Sequence, residues 1–295
     1  MRSHFRPPLT IVVPLIIVAV AVMQTAIGAV GRDTSSEYPR AVVLDVGQGD
    51  AILLDGPGDD AEVLVDGGPD GTVLLRALRK QLGRDRTLNL VVLTHPHEDH
   101  VAGLVDVLER YDVKRVLITG VAHTTRSYRS FLERIADQQI PTDVAIAGLH
   151  EDVAPFDIEV LAPLEDLQGT TLAELNLTSI ILMVSMGDRR MLLTGDAETP
   201  VEESLLERGV SLAADVLKVG HHGSQTASSA AFLESVHPTD AIISVGARNQ
   251  FGHPHRRTLK RLERIGAVVW NTSVNGDVVV EFREDGMIDV VAASE

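Results

Sequence analysis

The chain has 295 residues, with 26 Lys and Arg against 42 Asp and Glu and a formal net charge of −16. That balance argues against a broad basic surface for nucleic acid, though it leaves room for a local basic groove. Hydrophobic residues make up 44% and aromatic residues 3%, so aliphatic side chains must fill the core. The absence of cysteine excludes disulfides, thiolate zinc sites and a cysteine nucleophile.

In chain order, Arg2 and Arg6 precede an uncharged run over residues 7–31. Its most apolar part has signal-peptide length, and the whole run is long enough to span a bilayer. Residues 1–31 are therefore expected to form an N-terminal hydrophobic helix. An uncleaved signal anchor is preferred over a signal peptide cleaved after Gly28. The positive-inside rule then puts the rest outside the cytoplasm, anchored to the membrane, or secreted if the segment is removed. Residues 32–40 are polar and are expected to be a linker, and residues 41–295 one folded domain.

Short apolar runs follow: "AVVLDV", "AILLDG", "EVLVDGG" and "NLVVLTH", which are expected to be strands. Between the third and fourth, Leu74, Leu75, Leu78 and Leu82 keep helical spacing. Past residue 100, Val101, Leu104, Val105 and Leu108 mark another helix face, followed by the strand "KRVLI". A helix is expected around 128–135 and strands near 143–147 and 157–161. "SIILMVS" and "RRMLLTGD" form a predicted hairpin turned at Gly187-Asp188. Helices near 200–208, 228–236 and 256–265 then alternate with the strands "ADVLKVG", "DAIISVG", "AVVWNT" and "DVVVEF". Two sheet-rich halves with interspersed helices imply two packed sheets with helices over their outer faces, an α+β domain in four αββα layers.

The chemistry concentrates in "LTHPHEDHVAGL", expected as a loop between the strand ending at Thr94 and the next helix. If the segment is still extended, His95 and His97 point the same way and both can ligate one ion. Asp99 and His100 fall past the turn, within reach of a second ion. Imidazoles mixed with carboxylates suit zinc, manganese or iron.

The stretch "THPHEDHVAGL" resembles the His-x-His-x-Asp-His signature of the metallo-β-lactamase fold superfamily. "VLVDGG" (Asp66), "LLTGDAE" (Asp196) and "LKVGHHGS" (His221, His222) are similar to its other motifs. More narrowly, "LDVGQGDAILL" and "NQFGHPH" resemble the hydrolase domain at the C-terminus of bacterial DNA-uptake channel proteins, the competence ComEC/Rec2 group. The likeness covers roughly residues 41–283. Two departures stand out: the chain lacks the large polytopic channel region, and Asn176, Thr178 and Ser179 stand where many superfamily members carry a further histidine.

The resemblance implies two divalent ions, zinc or manganese. One would be held by His95, His97 and Asp196, the other by Asp99, His100, Asp196 and one of His221 and His222, with His222 preferred. It casts Asp99 and Asp196 as proton acceptors in catalysis and His253 as a proton donor or phosphate ligand, with Arg256 and Arg257 nearby. Asp66, Asp45, Asp50, Asn176, His221 and Ser224 are candidates for contacting substrate or steadying the ligands; a tight-turn role competes for Asp45 and Asp50. The expected activity is metal-dependent hydrolysis of phosphodiester bonds, with DNA a candidate substrate. The alternatives are hydrolysis of another exported ester, lactone or β-lactam, and a membrane-tethered binding factor stabilised by metal. Nothing in the sequence calls for an obligate protein partner.

Overall fold

The computed structural model describes residues 38–57 and 61–293. The expected N-terminal hydrophobic helix lies outside the described residues, and among those described no helix is long and apolar enough to cross a membrane.

The first half holds β1 (Arg40–Val43), β2 (Ile52–Asp55), β3 (Glu62–Val65), α1 (Gly71–Leu82), β4 (Thr87–Leu88), β5 (Leu90–Val92), α2 (Glu98–Arg110), β6 (Asp112–Val113), β7 (Val116–Ile118), α3 (Arg126–Gln138) and β8 (Thr142–Val144). The second half runs through β9 (His150–Val153), β10 (Phe156–Ala162), β11 (Ile181–Met186), β12 (Arg189–Leu193), α4 (Thr199–Glu207), β13 (Val216–Lys218), α5 (Ala230–Val236), β14 (Asp240–Ile243), α6 (Arg256–Ile265), β15 (Val268–Asn271) and α7 (Thr272–Asn275). Strands β16 (Val278–Phe282) and β17 (Ile288–Ala292) then return to the first sheet.

The first sheet has eight strands in the order β17-β16-β1-β2-β3-β5-β7-β8, and the second has seven in the order β15-β14-β13-β12-β11-β10-β9. Each is antiparallel at one end and parallel at the other, where helices supply the crossovers. Alternation along each strand builds the layers. In β1, Ala41 and Val43 face the second sheet in a core with Ile158, Leu182 and Ile242, while Val42 faces the helix side with Leu74, Leu104 and Phe131. The far face of the second sheet buries Ile181, Leu192 and Leu217 under Leu205, Phe232 and Leu262. The order is helices, sheet, sheet, helices, as the apolar pattern predicts. The short strands β4, β6 and β9, and β17 at the edge, were not expected.

One correction concerns the histidine stretch. Asp99 and His100 lie in the first turn of α2 rather than in a loop. Glu98 and Asp99 sit at that helix's positive end, where acids are favoured, and the extended His97 precedes them.

Two glycines let α2 rest directly on the loop after β3. The Gly67 amide donates to the His100 carbonyl (2.8 Å) and the Gly103 amide to that of Gly68 (3.0 Å). A Cβ on Gly103 would stand 2.0 Å from the Gly67 carbonyl oxygen. Gly103→Ala is therefore expected to lower stability in urea unfolding by about 1–3 kcal/mol, the usual cost of overpacking.

Candidate metal centre

Five chain segments meet where the parallel strands of both sheets end. Asp66 follows β3 with φ +60°, and its carboxylate accepts from the Thr94 amide (2.8 Å), the Thr94 hydroxyl (2.7 Å) and His100 Nδ1 (2.7 Å). The Thr94 oxygen in turn lies 3.0 Å from His95 Nδ1. Asp66 thus fixes two rings at once and turns the Nε2 of each toward a common point, as outer carboxylates do around metal-binding histidines. His95 Nε2 and His97 Nδ1 stand 2.9 Å apart. This is close to the roughly 3.3 Å that two nitrogens span when each lies about 2.05 Å from one tetrahedral ion.

Asp196 follows β12, and its amide donates to Ser179 Oγ (3.2 Å). Its Oδ2 lies within 4 Å of four imidazole nitrogens: His100 Nε2 (3.4 Å), His222 Nε2 (3.5 Å), His221 Nε2 (3.8 Å) and His95 Nε2 (3.9 Å). His221 and His222 follow β13 and both adopt left-handed backbone, φ +49° and +53°. That conformation is uncommon outside glycine, and it separates the neighbours. His222 is buried, its Nδ1 3.0 Å from the Ser244 carbonyl and its Nε2 3.3 Å from Asp99 Oδ2. His221 stays partly exposed, with Nδ1 3.0 Å from Glu198 Oε1.

Two donor groups result: His95, His97 and Asp196, and Asp99, His100 and His222, each with donor atoms within 4.8 Å of one another. Asp50, His100 and Asp196 form a third, overlapping group. The donors fit divalent ions. His100 Nε2, His222 Nε2 and Asp196 Oδ1 are buried without a hydrogen-bond partner, and such atoms are costly unless something binds them.

The other candidates fall into place around this cluster. Asn176 does not join the ion-facing donors; its Nδ2 donates to Glu198 Oε1 (3.0 Å) beside His221. Ser224 bonds Thr226 (2.9 Å) within its own loop and accepts at its carbonyl from the Thr258 hydroxyl of α6 (2.7 Å). The structure does not bring Asp45 into the cluster. It is exposed and its carboxylate accepts from the Gly47 amide (3.2 Å), because the chain reverses at Gly47 and Gly49 (φ +82° and +144°) before Asp50 turns inward. His253 packs near His221 and His222, with ring centroids 5.5 and 6.5 Å apart.

Sequence reasoning missed Lys218, Glu198 and Ser244. Lys218 is fully buried, its Nζ 2.7 Å from Asp50 Oδ2 and donating to the Val219 carbonyl (3.0 Å). The available signal was a lysine inside the apolar run "ADVLKVG", since lysine is almost never fully buried unless paired.

Burial lowers the pKa of His95 and His97, keeping both rings neutral and ready to ligate. Burial also opposes charge on His222, but the Asp196, Asp50 and Asp99 carboxylates outweigh it and push the ring up to about 10. His100 is raised well above its ordinary value because Asp196 and Asp66 overcome the same burial. Asp50 falls to about 2 against its burial because of Lys218 and His222. Burial and the neighbouring His221 and His222 take His253 down to about 4, so it is a neutral ring at pH 7.

A pH dependence follows by linkage. The folded value of His222 lies above the unfolded 6.5, so its contribution is complete below pH 6.5 and is lost as pH rises through about 10. In EDTA, Tm is expected to fall over that interval. With divalent metal bound, His222 would be a neutral ligand and that component of the fall should disappear; equal slopes in scans with and without metal would contradict it.

The fold and the convergent imidazoles and carboxylates define a class, and the chain belongs to it: the metallo-β-lactamase superfamily, whose profile matches residues 44–247. Igni18, a metallo hydrolase from Ignicoccus hospitalis, shares the fold with a TM-score of 0.54 at 15% identity, covering 83% of this chain and 100% of that one. Within the superfamily the chain is homologous to competence proteins of the ComEC type. It is 27% identical to ComE operon protein 3 of Bacillus subtilis (strain 168) over 257 residues, covering 82% of this chain and 33% of that protein. To Recombination protein 2 of Haemophilus influenzae it is 33% identical over 246 residues, covering 82% and 29%. The chain thus spans about a third of the length of these relatives.

Proposed function

We propose that the chain is a metal-dependent hydrolase of phosphodiester bonds, with DNA as a candidate substrate. The observation that carries it is Asp196 Oδ2, surrounded within 4 Å by imidazole nitrogens from separate chain segments. His95, His97 and Asp196 would hold one divalent ion, and Asp99, His100, Asp196 and His222 the other, zinc or manganese. Such a pair of ions lowers the pKa of a shared water and neutralises charge developing on a transferred phosphoryl group.

The protein side chains supply the rest. Asp99 is about one-third exposed while Asp196 is buried, which makes Asp99 Oδ2 the better-placed acceptor for the proton of an attacking water. Asp66 and the Ser244 carbonyl hold the His100 and His222 rings in place, which limits the reorganisation a reaction there would need. His253, neutral and beside His221, is placed to hydrogen-bond a substrate oxygen. The choice of phosphodiesters rests on the homology to competence proteins, because the fold alone does not select a substrate. The uncharged run at residues 7–31 supports anchorage in a membrane with this domain on its outer side.

Metal analysis and turnover test the reading together. Two ions per chain and faster hydrolysis of bis(p-nitrophenyl) phosphate than of lactones or a chromogenic β-lactam are expected. Bound metal without turnover of any of them would indicate a binding factor instead.

A further inference from the structure

Beside the metal centre lies a stretch of surface with an exposed aromatic ring and a run of basic side chains. The segment between β14 and α6 carries Phe251, which is 58% exposed, the one aromatic among the exposed large hydrophobic residues described. It stacks on His253 with ring centroids 5.7 Å apart and planes at 26°. Asn249 clamps this loop: its Nδ2 donates to the Gly246 and His253 carbonyls (2.9 and 2.7 Å), and its Oδ1 accepts from the Phe251 and His253 amides (3.2 and 2.9 Å). The His255 amide donates to the Gly223 carbonyl (2.8 Å), tying the loop to the segment that carries His221 and His222.

Directly after it, a hollow of about 570 Å³ is lined by His255, Arg256, Arg257, Lys260, Arg261 and Arg264 together with Ala230. Arg261 is engaged with the carbonyls of Ala227 and Ser228 (3.1 Å each) and Arg264 lies 3.9 Å from Glu234. Arg256, Arg257 and Lys260 are exposed and make no ion pair with a described residue. In a chain with a net charge of −16, such a concentration does not follow from composition. It does not follow from helix stability either, since the first turn of α6 favours acids.

We infer that Phe251 and the basic face of α6 form a platform for a single-stranded nucleic acid entering the metal centre, Phe251 stacking a base while Arg256, Arg257 and Lys260 take successive phosphates. An exposed ring beside a cationic track is the combination that binds single strands without reading sequence. Distances agree. Two residues lie between His253 and Arg256, a gap of at most about 11 Å, and from Arg256 to Lys260 α6 rises about 6 Å, about two phosphate steps along one strand. An anionic bilayer is the poorer fit. The fully exposed positions of α6 are all charged, whereas Leu262 is buried and Leu259 half-buried, and a helix lying on a membrane needs an apolar face turned outward.

The assignment takes its substrate from the phosphodiesterase reading, and binding is therefore measured with EDTA present, independently of turnover. The full chain in detergent is titrated against a fluorescent twelve-residue oligodeoxythymidylate. Arg256→Glu/Arg257→Glu/Lys260→Glu should weaken binding at least tenfold and flatten the slope of log K against log salt by about 2. Phe251→Ala should weaken it roughly 5- to 100-fold, and this loss should vanish on a base-free strand of equal length. Wild-type affinity and salt slope in the triple variant would overturn the platform. An equal Phe251→Ala effect on both strands would overturn the stacking role. Binding to phosphatidylglycerol vesicles in place of the oligonucleotide would assign the patch to a membrane and overturn the proposal.

Discussion

Asp196→Asn is expected to leave at most one ion per chain and to cut hydrolysis by a factor of about a thousand or more. Losing a carboxylate charge that two ions would share would remove several kcal/mol of charge stabilisation, and each 1.36 kcal/mol is tenfold in rate. The fold should suffer far less. In the metal-free protein Asp196 is the carboxylate that does most to raise both His100 and His222 against burial. Once it is neutral those rings can shed their protons instead of remaining as uncompensated buried cations. The variant should therefore melt cooperatively in EDTA, and the His222 titration should drop below the wild-type value of about 10. If the Asp196→Asn variant still binds two ions with wild-type affinity, this carboxylate is not shared between them, and its assignment to both ions fails.

The layers of the fold were legible because strand alternation is a local property: Val42 and its neighbours Ala41 and Val43 face opposite cores for the same reason that they alternate in sequence. The cluster was legible in part. The spacing of His95 and His97 carries a shared direction, whereas the meeting of His100 with Asp196 and His222, about a hundred residues apart, was available only through the resemblance. What stayed hidden depends on turns and caps. "DVGQGDA" offers Asp45 and Asp50 equally, and only the reversal at two positive-φ glycines sends one outward and one inward. The neighbours His221 and His222 could not be ranked by alternation, because consecutive left-handed residues do not alternate as a strand does. The role of Phe251 needed the Asn249 clamp, which leaves no periodic trace.

Lys218 gives the second large effect. Lys218→Met removes the cation held 2.7 Å from Asp50 Oδ2 and leaves a buried carboxylate beside Asp196 and Asp66. Breaking a buried pair from one side costs about 3–5 kcal/mol. For a domain of this size, that is a fall in Tm of roughly 6–20 °C in EDTA. The double variant Lys218→Met/Asp50→Asn should recover most of the loss, since neutralising both partners leaves no orphaned charge. Divalent metal should separate this account from simple repacking. With Lys218 gone, Asp50 is released toward the donor atoms of His100 and Asp196 with which it already groups, and the added negative charge strengthens attraction for a dication. Zinc or manganese should then raise the Tm of Lys218→Met more than it raises that of the wild type, and should not do so for the double variant. Equal metal-induced gains in all three proteins would reduce Lys218 to a packing residue and detach it from the metal centre.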